Sequence, residues 1–180
     1  MNPADIINFW FSEEIKKAWF NSTAELDNKI RQDFESVWQR ANNSELDNWM
    51  QSAEGCLALC IILDQFPLNM FRGEVKSFAS AAKAIAVSKH AIEQHFDQQI
   101  EKDKLAFLLM PLMHSENLAD QELSVQHFTQ AGLDNNIRFA QHHRDLIFRF
   151  GRFPHRNKIL ERQSTQEELD YLNSKEAFKG

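Results

Sequence analysis

Residues 149–157 read Arg-Phe-Gly-Arg-Phe-Pro-His-Arg-Asn, an alternation of charged and aromatic side chains. Arg152, His155, Arg156 and Asn157 supply donors that could hold a phosphate, a carboxylate or a stacked base. The same run also fits a helix-to-loop transition whose rings pack and whose arginines cap carbonyls. Just upstream, a helical wheel of 137–150 places Ile137, Phe139, Ala140, Leu146, Ile147, Phe148 and Phe150 on one broad arc. His143 and Arg144 fall inside that arc. An arginine among apolar side chains needs a carboxylate or a bound anion to satisfy it. Three readings follow: an ion pair within the core, the arginine floor of a pocket, or a wheel drawn in the wrong phase or a long side chain that reaches solvent. Asp64 falls in the last turn of an apolar helix, where the helix dipole disfavours a carboxylate, so a clamp to Arg72 or Arg144, or a hydrogen bond to the loop that follows, is expected.

Acid–base chemistry is the alternative. His114 and Glu116 follow Pro111, and Asp120 lies on the next helix. His114 or His155 could exchange a proton near neutral pH, with Glu116 or Asp120 orienting the ring, in acyl or phosphoryl-ester hydrolysis. Neither HExxH nor GxSxG occurs, so no metal site and no nucleophile turn are expected, nor is a cofactor. The binding set expected for a small anion or an acidic peptide group is Asp64, Arg72, His114, His143, Arg144, Arg152, His155, Arg156 and Asn157.

The elements that must position these residues read as helices. Of 180 residues only 9 are Gly or Pro, and Ile, Val and Thr together number 19. Strand-rich folds need more of both, which excludes sandwiches and barrels. Asn2-Pro3 opens a short helix to Phe11, and Ser22 or Thr23 caps an amphipathic helix carrying Leu26, Ile30, Phe34, Val37, Trp38 and Ala41. Residues 53–66 are apolar on every side, a central helix that Pro67 should end. Further helices are expected over 79–96, 102–110 (broken at Pro111), 118–131 after Asn117, and 134–150 before Gly151. Ser164 and Thr165 with Glu167 and Glu168 suggest a capping box for a last short helix. Phe9, Trp10, Phe11, Trp19 and Phe20 read as core, and Cys56 and Cys60, four apart on the central helix, as buried thiols rather than a disulfide. The expectation is one all-α domain over 1–180, its helices paired as antiparallel hairpins.

Charge narrows the partners. Residues 138–162 hold seven basic and two acidic residues, +5, whereas the remainder is −11, for a net −6. An acidic chain with one arginine-dense window is a poor nucleic-acid binder. The longest apolar run, 105–113, is too short for a membrane span. With two cysteines and no basic, apolar leader at Met1, a cytoplasmic location is expected.

Several motifs coincide with a known family. They are Phe9-Trp10-Phe11 with Trp19-Phe20; Leu63-Asp64-Gln65-Phe66-Pro67 and Phe71-Arg72-Gly73; residues 110–116, Met-Pro-Leu-Met-His-Ser-Glu; Leu118-Ala119-Asp120-Gln121-Glu122; His143-Arg144-Asp145; and residues 149–157. On these the chain resembles the bacterial domain-of-unknown-function family numbered 924, over nearly its whole length. Leu68 stands where that pattern has a basic residue. The resemblance implies a tetratricopeptide-like stack of helical hairpins and no established reaction. Folds of that kind often scaffold protein partners, which adds a protein-interaction reading.

Overall fold

The computed structural model describes residues 1–19 and 21–178, and Phe20, read as core, lies outside them. Every regular element among the described residues is helical. The chain forms two compact units, Met1–Leu112 and Met113–Gly180.

In the first unit, Asn2 and Asp5 form a reciprocal capping box that starts α1 (Pro3–Trp10), with Pro3 in the first turn. A single turn, α2 (Glu13–Lys16), leads to α3 (Ala24–Asn42), whose Thr23 side chain accepts the Leu26 N–H. Ser52 caps α4 (Ala53–Cys60) in the same way, accepting the Gly55 N–H. The helix expected to stop at Pro67 does not stop there. It widens into a π turn over Ile61–Gln65, where the Phe66 N–H reaches back to the Ile61 carbonyl, and continues as α5 (Phe66–Met70). The wide turn puts Pro67 in the opening turn of α5, where a missing N–H goes unfelt. Similarly α7 (Lys102–Met113) runs through Pro111 instead of breaking at it. Pro111 has no N–H to give the Phe107 carbonyl, so the helix continues there one hydrogen bond short. Between them, α6 (Ala81–Glu93) is shorter than its alanine-rich sequence suggests, and His95 just beyond it turns left-handed.

The core of this unit is aromatic. Trp10 lies 5.6 Å from Phe66 and 5.7 Å from Phe107, and Phe9 lies 4.5 Å from Phe34. Phe11 and Trp19 pack on the same Phe107 ring at 5.3 and 4.6 Å. Cys56 and Cys60 are buried free thiols. Burial pushes Cys56 up to about 11 and Cys60 well above the ordinary thiol range.

In the second unit, Asn117 caps α8 (Leu118–Gln130) through the Ala119 and Asp120 N–H groups. A link of three residues joins it to α9 (Asp134–Phe150), and the two helices pack on each other. Gly151 ends α9 at φ +70°, a conformation glycine adopts without a Cβ penalty. A loop with one 3₁₀ turn at Pro154–Arg156 then leads to α10 (Gln166–Leu172), begun by a Thr165–Glu168 capping box. Leu146, Ile147, Phe153 and Tyr171 form the core, with Leu118, Phe150, Leu172 and Phe178 packed around it.

Candidate functional site

The buried face of α9 is narrower than the wheel suggests and centres on His143, with Ala140, Leu146 and Ile147 beside it. Phe139 and Phe148 are 57% and 76% exposed. Arg144 sits at the edge of the face and not in the core. Its side chain is 35% exposed, and its Nε donates to the adjacent Asp145 at 2.6 Å. The expected buried arginine is therefore a surface-edge pair, because an arc drawn from apolar identity alone was too wide. Arg72, one of the partners expected for Asp64, is engaged elsewhere. It donates from Nε and Nη2 to Asp27 on α3, at 2.7 and 3.2 Å, and Asn69 and Ser22 donate to the same carboxylate. Burial would raise Asp27, but these donors hold it below the usual carboxylate range. Asp64 lies within the π turn, where it accepts from Gln65 Nε2 at 2.6 Å.

The loop after Gly151 is fixed by two bidentate arginine–carboxylate pairs. Arg152 donates from Nε and Nη2 to Glu168 at 2.6 and 2.8 Å, and from Nη2 to the Gln163 carbonyl. Glu168 also takes the Thr165 N–H and the Asn157 amide. The hydrogen bond from Arg152 is the main reason its carboxyl is held down to about 2. Arg162 grips Glu116 through Nη1 and Nη2 at 2.6 and 2.9 Å, and its Nε donates to Asn157 Oδ1. Glu116 further accepts the Phe153 N–H at 2.8 Å. Burial opposes ionisation of Glu116, yet Arg162 and that N–H keep it below its ordinary value. Asn157, almost fully buried, ties the two pairs together. Arg149 pairs with Glu167 at 2.8 Å on the surface. Three of the arginines that make up the +5 window are thus matched by carboxylates from outside it.

Arg156 is placed differently. Its Nη1 donates to the His114 carbonyl at 3.0 Å, and its guanidinium lies 4.4 Å from the centre of the buried Phe153 ring. Around it are three imidazoles. The His143 ring is 6.5 Å from His114 and 5.4 Å from Phe153. Its Nδ1–H donates to the Phe139 carbonyl at 2.8 Å, so Nε2 carries the lone pair of the neutral ring. His155 is 5.6 Å from Phe153. Its Nδ1 is buried, and no hydrogen-bond partner reaches it among the described residues. Burial, with the neighbouring His114 charge, pulls His143 down to about 3. Burial and then Arg156 pull His155 down to about 4. Phe178, past the last helix, closes the group: its ring is 4.7 Å from His143, 5.0 Å from His155 and 5.9 Å from His142.

The remaining acid–base candidate, Asp120, lies in the first turn of α8. The buried Ser115 hydroxyl donates to Asp120 at 2.7 Å, and Gln121 donates to the Met113 and Ser115 carbonyls. Among the described residues no three His, Cys, Asp or Glu side chains converge to hold a metal ion. No helix there is long and apolar enough to cross a membrane. The structure therefore brings His114, His143, His155 and Arg156 together, and assigns Arg152 and Asn157 to the frame behind them. The sequence reading missed Phe178 and Tyr171, which lie outside every motif, and took Glu168 only as a cap.

The profile of the family described as bacterial protein of unknown function (DUF924) matches residues 6–176. The chain belongs to this DUF924 family. A solved structure of a protein of unknown function from Agrobacterium tumefaciens is similar at 39% identity, with a TM-score of 0.87 over 95% of this chain and 96% of that one. Among curated proteins, none matches.

Proposed function

We propose that the cluster of His114, His143, His155 and Arg156 binds a small anionic group, a carboxylate or a phosphate, borne by a small molecule or an acidic peptide. One observation carries this reading: His155 Nδ1 is buried, has no hydrogen-bond partner among the described residues, and sits in the positive field of Arg156. A buried ring nitrogen without a partner costs free energy, and an N–H there would donate to an anion drawn by the guanidinium. Arg152 and Arg162 do not compete for that anion, since a carboxylate grips each of them in two places. The same pairs weigh against hydrolysis through Glu116. Both its oxygens already accept hydrogen bonds, from Arg162 and the Phe153 N–H, which turns the carboxylate away from orienting an imidazole. The α8–α9 pair is also compatible with the tetratricopeptide-like stacking that the family resemblance implies, in which a peptide could present the anion.

The test is calorimetric titration of acetate and of inorganic phosphate into wild type, His155→Phe and Arg156→Gln at pH 7 and constant ionic strength. Saturable binding by the wild type, weakened about tenfold in both variants, is the expected result. Absence of saturable binding by the wild type, or equal binding by all three proteins, would overturn the reading.

A further inference from the structure

Two more buried polar atoms of the second unit have no hydrogen-bond partner among the described residues: Gln121 Oε1 and Ser124 Oγ. Both residues are 0% exposed and lie on the buried face of α8. They are one turn apart, so their Cβ atoms are about 5–6 Å from each other. The amide cannot be turned the other way round. Gln121 Nε2 donates to the Met113 and Ser115 carbonyls at 2.7 and 2.6 Å, and an oxygen in its place would face both. Oε1 is therefore fixed on the far side of the amide, as an acceptor. The carbonyl between those two, that of His114, takes Arg156 Nη1 at 3.0 Å. Three successive residues, spanning at most about 7 Å of chain, thus hold both the Gln121 amide and the guanidinium next to His155.

We infer that the ligand is a small hydroxy acid: its anionic group meets His155 Nδ1, and its hydroxyl meets Gln121 Oε1 and Ser124 Oγ. This rests on the anion-binding reading above and narrows it to one ligand class. The inventory of donors and acceptors selects the hydroxyl. Gln121 Oε1 only accepts, whereas the Ser124 hydroxyl both donates and accepts. One ligand hydroxyl gives its hydrogen to the amide oxygen and takes the serine's, which satisfies both buried atoms. An ammonium brings donors only, leaves the serine hydrogen unused, and must shed its water to enter a buried position. An apolar substituent leaves both atoms unmatched, and unmade hydrogen bonds of buried groups are costly. A site built to hydrogen-bond a hydroxyl therefore discriminates against the same acid without one.

The experiment titrates three pairs of acids into the full chain at pH 7: glycolate with acetate, 3-hydroxypropanoate with propanoate, and 2-hydroxyethyl phosphate with ethyl phosphate. The proteins are wild type, Ser124→Ala and Ser124→Cys, with far-UV circular dichroism checking each fold. Cysteine keeps a side chain of similar shape but hydrogen-bonds weakly, so it stands in if Ser124→Ala fails to fold. In wild type the hydroxylated member of at least one pair is expected to bind about tenfold tighter than its parent. The pair that shows this identifies the anionic group and the reach of the hydroxyl. In the variants the ratio within that pair should fall to about threefold or less. A hydroxyl that gives no advantage in any pair, or an advantage undiminished in the variants, overturns the inference while the anion site stands. A water molecule held by Gln121 and Ser124 would give the first of these results. If no acid binds any of the proteins, the anion-binding reading falls and the inference with it.

Discussion

Replacing Glu168 by glutamine tests whether the arginine loop is held by charge. Glu168 is 2% exposed and accepts two hydrogen bonds from Arg152, one from the Thr165 N–H and one from Asn157. Its carboxyl lies at about 2 against an ordinary 4.5. Taken at face value that difference is worth roughly 3 kcal/mol, and screening at the partly exposed Arg152 reduces it to about 2 kcal/mol. Because the folded value is depressed, the contribution is complete above pH 4.5 and disappears as the pH falls through 2. Glutamine can still accept the Thr165 N–H but carries no charge for Arg152. Glu168→Gln should therefore be less stable than wild type by about 2 kcal/mol at pH 7, with the gap closing towards pH 2. Amide hydrogen exchange over residues 151–168, compared between the two proteins across that pH range, reads the local effect. A gap that is absent at pH 7, or that does not shrink with acid, would refute the reasoning.

Further predictions follow from the burial of single groups. Helix propensity favours Gly55→Ala by about 1 kcal/mol, but a Cβ there would lie 1.9 Å from the Trp49 carbonyl oxygen. Packing decides the sign, and urea denaturation should show a net loss of about 2–3 kcal/mol. The Cys56 and Cys60 thiols should resist an aromatic disulfide reagent at pH 8 in the native protein and both react once urea unfolds it, as their burial and raised values require. His143 lies at about 3 when folded against 6.5 free, so its contribution is complete above pH 6.5 and is lost as the pH falls towards 3. Relative to His143→Phe, wild type should lose about 2 kcal/mol between pH 7.5 and pH 5, measured by urea midpoints.

Local chemistry reads well from sequence where its partners are local. The capping pairs Asn2–Asp5 and Thr165–Glu168, and the Asn117 cap, are three-residue relationships that form as the spacing suggests. The prolines read less well. A proline rule knows the missing N–H of Pro67 but not that a π turn ahead of it removes the need for one. Charge summed along the chain misleads for a similar reason. The +5 of residues 138–162 is real in sequence, but Glu116 lies 46 residues before Arg162 and still claims both its terminal nitrogens. The wheel of α9 placed Phe148 inside and it is outside, because identity alone cannot tell how wide a face its neighbours cover. His143 and His155 were legible as candidates. Phe178, the ring that touches both, has no periodicity or motif around it, and only the fold brings it there.

The most direct measurement of the anion-binding account is the ¹⁵N resonance of the His155 ring followed through a pH titration with and without saturating acetate. A carboxylate accepted at Nδ1 favours the protonated ring, so the account predicts a saturable shift at Nδ1 and a titration midpoint raised from about 4 by one unit or more. An Nδ1 resonance and midpoint that acetate leaves unchanged would contradict it.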